Sequence, residues 1–202
     1  NAADQFGYSV SVSGSRAVVG ARGYYNGAGH LLSGMAYVFL RDGDGTWDDG
    51  QQLLVPSPMD HEIFGNSVSV SGDTVVIGAP WDSVGIHLRA GHAFVYTCAD
   101  GAWGLQQTLI ADDPTTNSGF GCAVAIAGDT AVIGAPEDGS AGLAGSGAAY
   151  VFVQNGGTWS EQQKLTSSDA SDNDEFGWSV SASGDTAVVG ARWDDHAGGV
   201  NA

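Results

Sequence analysis

The dipeptide Phe-Gly recurs at Phe6-Gly7, Phe64-Gly65, Phe120-Gly121 and Phe176-Gly177, at intervals of 58, 56 and 56 residues. Behind each one follows the same train: SVSVSGSRAVVGAR, SVSVSGDTVVIGAP, AVAIAGDTAVIGAP and SVSASGDTAVVGAR. A fixed period of this length marks an array of supersecondary units, each unable to bury its apolar surface alone and therefore stacked on its neighbours.

The unit reads as four strands. In the first, such as Ser67 to Ser71, small polar residues alternate with valine, the period of a pleated strand. A Gly-Asp pair (Gly72-Asp73, Gly128-Asp129, Gly184-Asp185) supplies the positive φ of a tight hairpin. The second strand is rich in valine and isoleucine and ends in Gly-Ala-Pro or Gly-Ala-Arg. A variable acidic, glycine-rich loop leads to a third strand at Met35 to Leu40, Ala93 to Tyr96 and Ala148 to Val153, and the fourth opens with Trp47, Trp103 or Trp159. β-Branched alternation excludes helical repeats. A four-stranded meander repeated every ~50 residues is the arithmetic of a propeller blade.

At these residues the chain resembles the FG-GAP repeat family, whose members include the seven-bladed propeller heads of integrin α subunits. The naming elements stand as Phe64-Gly65 with Gly78-Ala79-Pro80 and as Phe120-Gly121 with Gly134-Ala135-Pro136; Arg22 and Arg192 replace the proline in the outer copies. The likeness covers essentially the whole chain and lies nearest the short variant found in large secreted microbial and algal proteins. The expected fold is all-β, one propeller over residues 1–202, with blades at about 4–59, 60–115 and 116–171 and half a blade at about 172–202. Three ways of closing such an array are open: the chain is a piece of a longer protein, the expectation favoured here, it forms a small four-bladed ring, or it accepts strands from another chain.

Charge narrows the partners. There are 23 acidic residues against 6 basic ones, a formal charge of −17. Phosphate backbones are held by clustered Lys and Arg, so nucleic acid is excluded, and an anionic membrane surface is disfavoured for the same reason. No apolar run approaches the ~20 residues of a membrane span.

Calcium is the cofactor to consider, since the resemblance includes integrin blades that hold it in Asp-rich loops. The string Asp42-Gly43-Asp44-Gly45 falls on the turn between strands three and four and reads as an ordinary hairpin. Better placed are the acids before the fourth Phe-Gly and after Gly-Ala-Pro/Arg. Both loops are expected on one face of the propeller, making Asp82, Glu137, Asp138, Asp172, Asp174, Asp194 and Asp195 candidate ligands. The histidines show no zinc spacing.

Cys98 and Cys122 fall near opposite ends of their strands, ~15 Å apart and beyond the ~7 Å reach of a bridge, so two free thiols packed between blades are expected. Trp47, Trp103 and Trp159 recur at one position and read as packing residues. Trp81 and Trp193 lie beside the acidic loops and are candidate contacts for a glycan or protein partner. No nucleophile elbow or phosphate loop is present, and the inner strands offer only Ser, Val, Ala and Gly. The expected function is therefore non-catalytic: an extracellular structural or adhesive module, a subunit of a filament or surface assembly, or an integrin-like calcium-dependent recognition domain. A propeller lyase or hydrolase is the least supported alternative.

Overall fold

Serine and valine alternating through Ser67–Ser71 place Val68 and Val70 on one sheet face, where both are buried. Gly72 takes φ +55° and Asp73 stays at negative φ, so the hairpin is of the II′ kind, whose twist matches that of its strands. The same logic repeats along the chain. The computed structural model describes residues 4–24, 32–56, 62–139 and 142–194.

Among the described residues the strands are β1 (Phe6–Ser13), β2 (Arg16–Ala21), β3 (Ala36–Leu40), β4 (Gln51–Leu53), β5 (Ser67–Ser71), β6 (Thr74–Ala79), β7 (His92–Ala99), β8 (Ala102–Leu109), β9 (Ala123–Ala127), β10 (Thr130–Ala135), β11 (Ala148–Asn155), β12 (Thr158–Leu165), β13 (Phe176–Ser183) and β14 (Thr186–Ala191). They form three antiparallel four-stranded meanders in sequence order and the pair β13–β14. The fold is all-β and built of propeller-like blades. One strand departs from expectation. Trp47 precedes β4 and reaches Arg41 only through an isolated bridge, because Asp48 accepts hydrogen bonds from the Leu40 and Gly50 amides and turns the chain there.

Each blade packs its front, the side bearing the Phe-Gly phenylalanine, on the back of the blade before it. Two apolar clusters result. One joins Val18, Val38 and Leu53 to Phe64, Val70, Ile77, Phe94 and Tyr96; the other joins Val76, Val95 and Leu109 to Phe120, Ile133, Tyr150, Phe152 and Trp159. At each seam the phenylalanine meets two aromatic residues of its own third strand edge-on. Phe64 lies 5.4 Å from Phe94 and 6.2 Å from Tyr96, and Phe120 lies 5.3 Å from Tyr150 and 6.0 Å from Phe152. Burying one such ring contributes roughly 2–3 kcal/mol.

The glycines of the motif serve the seam. A Cβ on Gly78 would stand 2.0 Å from the Gly121 carbonyl oxygen of the next blade, and the Gly20–Gly65 and Gly134–Gly177 pairs approach as closely. Side chains then clamp the blades. Gln51 donates to the Trp103 carbonyl and accepts from the Trp103 amide, both at 3.1 Å, and Gln107 does the same to Trp159 at 2.7 and 2.9 Å. Nearer the axis, the hydroxyls of Ser11 and Ser69 accept from the Val70 and Ile126 amides, linking β1 to β5 and β5 to β9. The inner strands β1, β5, β9 and β13 stand side by side and open onto a depression at each end.

Candidate functional site

The residue after Phe-Gly is Tyr8, Asn66, Cys122 and Trp178 in the four copies. All four side chains line one depression of about 360 Å3 at the Phe-Gly end of the axis, together with Arg22, Trp81 and Glu137. Tyr8 and Trp178 are 50% and 41% exposed, and Trp81 and Trp193 are each 44% exposed.

The two arginines that break the Gly-Ala-Pro pattern organise this surface. Arg22 lies 3.5 Å above the Tyr8 ring and donates to Gln5 (2.8 Å) and Asn66 (3.1 Å). Arg192 lies 3.7 Å above Trp178 and 4.9 Å from Trp193, and its guanidinium meets both oxygens of Glu175, at 2.9 and 3.1 Å. Gln5 and Glu175 are the residues preceding Phe-Gly. Where proline occupies the arginine position, the corresponding residues are Ile63 with Asn66 and Gly119 with Cys122. Arginine, an aromatic ring and an acid or amide therefore occur together or not at all. Arg89 extends the pattern, 5.1 Å from the Trp81 ring.

The acidic candidates are distributed differently. Asp82 is buried against His92 Nδ1 at 2.8 Å and caps the Ser83 amide. Asp138, also buried, accepts from the Tyr150 hydroxyl at 2.8 Å and faces Lys164 Nζ at 3.2 Å, the lysine also reaching Asp113 at 2.7 Å. Asp174 accepts from the amide and hydroxyl of Ser171, and Asp172 from the Ala144 amide. Glu137 lines the axial depression, and Asp194 follows Trp193 on the exposed side. Asp195 lies outside the described residues. Among the described residues, no three acids, histidines or cysteines gather as a metal would require. Asp82, Asp138 and Asp194 hold one register position in successive blades, and the Asp174 carbonyl accepts from the Trp193 amide, which joins the loop before β13 to the loop after β14. The Asp42–Gly45 string is the expected turn, with Asp44 accepting from the Thr46 amide and hydroxyl, bonds that lower its pKa.

Both cysteines are free. Burial, with Glu137 and Glu175 nearby, pushes the Cys122 thiol up to about 11, so it stays protonated in the wall of the depression. Of the recurring tryptophans, Trp159 is buried in the second seam, Trp103 packs partly buried at the first, and Trp47 is exposed. The Tyr8–Arg22 and Trp178–Arg192 pairs were not among the sequence candidates. The arginine substitutions were visible, but their linkage to an aromatic residue two positions after phenylalanine emerges only when the copies are compared column by column.

Comparison with protein-family models matches the FG-GAP repeat over residues 1–39, 47–96, 103–152 and 159–202. The chain belongs to the FG-GAP repeat family. No curated protein matches it. The matched units begin at Trp47, Trp103 and Trp159, so an FG-GAP repeat takes the fourth strand of one blade and the first three of the next. FG-GAP domains generally mediate protein interactions, are typical of extracellular or surface proteins, and are typically non-catalytic. No helix among the described residues is long and apolar enough to cross a membrane.

Proposed function

We propose that this chain is an extracellular adhesive or structural module that grips a protein partner with the Phe-Gly end of its blades. The observation that carries the reading is the set of guanidinium-stacked aromatics there: Tyr8 with Arg22, Trp178 and Trp193 with Arg192, and Trp81 with Arg89. Trp, Tyr and Arg are the residues in which binding energy concentrates at protein interfaces. Here they sit half-exposed, each ring already stacked on a guanidinium that limits its motion, so less side-chain entropy remains to be lost on binding. Glu137 and Glu175 beside the arginines give the face both signs of charge, which suits a polar partner surface.

The test is retention of the labelled chain on extracellular-matrix and cell-surface preparations, comparing wild type with Tyr8→Ser/Trp178→Ser and with Trp81→Ser. Retention falling at least ten-fold in the double variant, with its melting temperature unchanged, is the expected result; equal retention overturns the reading. A glycan partner is separated from a protein one by protease treatment of the preparation, which abolishes retention only if the partner is protein.

A further inference from the structure

The seam between the first and second blades holds a pocket that the next seam fills from within. In the second seam the Gln106 carboxamide occupies the gap between blades: its oxygen accepts from the Trp159 indole at 3.1 Å and from the Gln154 side chain at 3.3 Å, and its nitrogen donates to the Gly157 carbonyl at 2.9 Å. In the first seam Gly50 precedes the clamping Gln51 where Gln106 precedes Gln107, and Cys98 stands in place of Gln154. A side chain at position 50 is barred, since Gly50 takes φ +77° and a Cβ there would come 2.6 Å from the Phe39 ring. The Trp103 indole therefore lacks the acceptor that Trp159 has, and a pocket of about 270 Å3 opens beside it, lined by Arg16, Leu40, Cys98, Asp100 and Gly101. Arg16 fixes one wall, its guanidinium 5.9 Å from the centre of the Trp103 ring and bonded to Asp73. Both flanking blades carry all four strands, β1–β4 and β5–β8, so no missing strand of either blade would cover the pocket.

We propose that this pocket binds a primary carboxamide of the glutamine type, supplied from outside the chain. The occupant is set by the second seam, where the same frame of tryptophan indole, turn glycine and glutamine clamp already holds one. The incoming oxygen accepts from the Trp103 indole N–H and the incoming nitrogen donates to the Gly101 carbonyl, as Gln106 does at Trp159 and Gly157. The half-exposed Leu40 side chain receives the methylene stem. Charge selects the amide over its acid. Asp73 and Asp100 line the pocket and its one guanidinium, Arg16, is already paired, so a carboxylate of the same shape meets repulsion and has no proton to donate to Gly101. The pocket lies at the end of the blades that carries the β1–β2 and β5–β6 turns, opposite the aromatic face at the Phe-Gly end, and does not depend on the role assigned there.

The probe is N-acetyl-glutamine N-methylamide, titrated onto the full chain and followed through the Trp103 indole N–H resonance, which is assigned by its loss in Trp103→Phe. Expected is a saturable shift with a dissociation constant of roughly millimolar order, the strength of two hydrogen bonds and one small buried stem. The glutamate analogue, nearly identical in shape and unable to donate, leaves the resonance unmoved. Cys98→Gln, which returns to this seam the side chain that Gln154 supplies to the next, fills the pocket and weakens binding at least ten-fold. Trp103→Phe keeps a ring and loses the donor, weakening binding about five-fold as read at the Gly101 amide. Circular dichroism and the melting temperature establish that each variant is folded, and the comparison of the two analogues needs no variant. Free glutamine binding as tightly as the blocked residue identifies a small-molecule ligand, and binding of the blocked residue alone identifies a glutamine within a polypeptide; each supports the site. No saturable shift at the solubility limit of the probe, an equal response to the glutamate analogue, or undiminished binding by Cys98→Gln overturns the proposal.

Discussion

Single residues carry the seams. Gly121 combines φ +90° with a Cβ position only 2.4 Å from the His92 carbonyl oxygen, whereas Gly72 has φ +55° and open space around it. Substituting alanine at Gly72 costs about 1 kcal/mol of backbone strain, while Gly121→Ala must also displace a neighbouring strand and costs about 3 kcal/mol or more. Urea denaturation of the two variants measures the difference. Tyr96 offers a pH test. Its hydroxyl donates to the Leu54 carbonyl at 2.7 Å, and burial pushes its pKa up from 10.0 to about 12. A phenol held protonated in the folded state contributes stability that is complete below the unfolded pKa and is lost as pH rises from about 10 to 12. Tyr96→Phe is expected to flatten that part of the stability profile, read from melting temperatures at pH 9 to 12, at a loss of about 1 kcal/mol at neutral pH.

At the scale of strands and hairpins, much was legible beforehand. The Ser-Val alternation gave β5 its exact span, and the Gly-Asp pairs marked the hairpins because a II′ turn needs glycine at its first central position. The fourth strands were less so: Trp47 looks equivalent to Trp103 and Trp159 but stands outside β4, since Asp48 and Gly50 favour a turn that Gly104 and Ser160 do not impose. The Gln-Gln motif was visible as a pattern without a meaning, because its partner is the backbone of a tryptophan 52 residues away, and backbone partners leave no trace in side-chain identity. Gln107→Ala therefore tests an element rather than a residue. Losing both bonds to Trp159 strands two backbone groups in a partly buried seam, at about 2 kcal/mol. Hydrogen exchange is expected to quicken at the Trp159 amide and along β12, with β1–β4 unchanged.

For the molecule as a whole, the repeat made the fold readable from one sequence, while the aromatic face at the Phe-Gly end was read only in part. Trp81 and Trp193 stood out by themselves; Tyr8, Trp178 and their arginines did not, because what distinguishes them is where four blades bring them. The acidic loops hold like positions of successive blades, and most of their carboxylates are engaged by neighbouring side chains and amides. Their charge still matters collectively. With a net charge of −17, mutual repulsion opposes the compact state. Raising sodium chloride from 0.02 to 0.5 M is expected to shorten the Debye length from roughly 20 Å to about 4 Å and to raise the melting temperature by several degrees. A specific calcium requirement would instead appear as stabilisation by millimolar calcium that magnesium does not reproduce.

The offset between repeat and blade has a genetic corollary. A stretch such as 103–152 begins on the outer strand of one blade and ends on the third strand of the next, so its copy inserted in tandem brings one strand of one blade and three of another. The inserted segment finds its missing strands in the flanking copies, and the lengthened array presents the same two terminal surfaces as before. Unequal crossing-over within such a gene can thus change the number of blades in one step without passing through a protein with a raw edge in its middle.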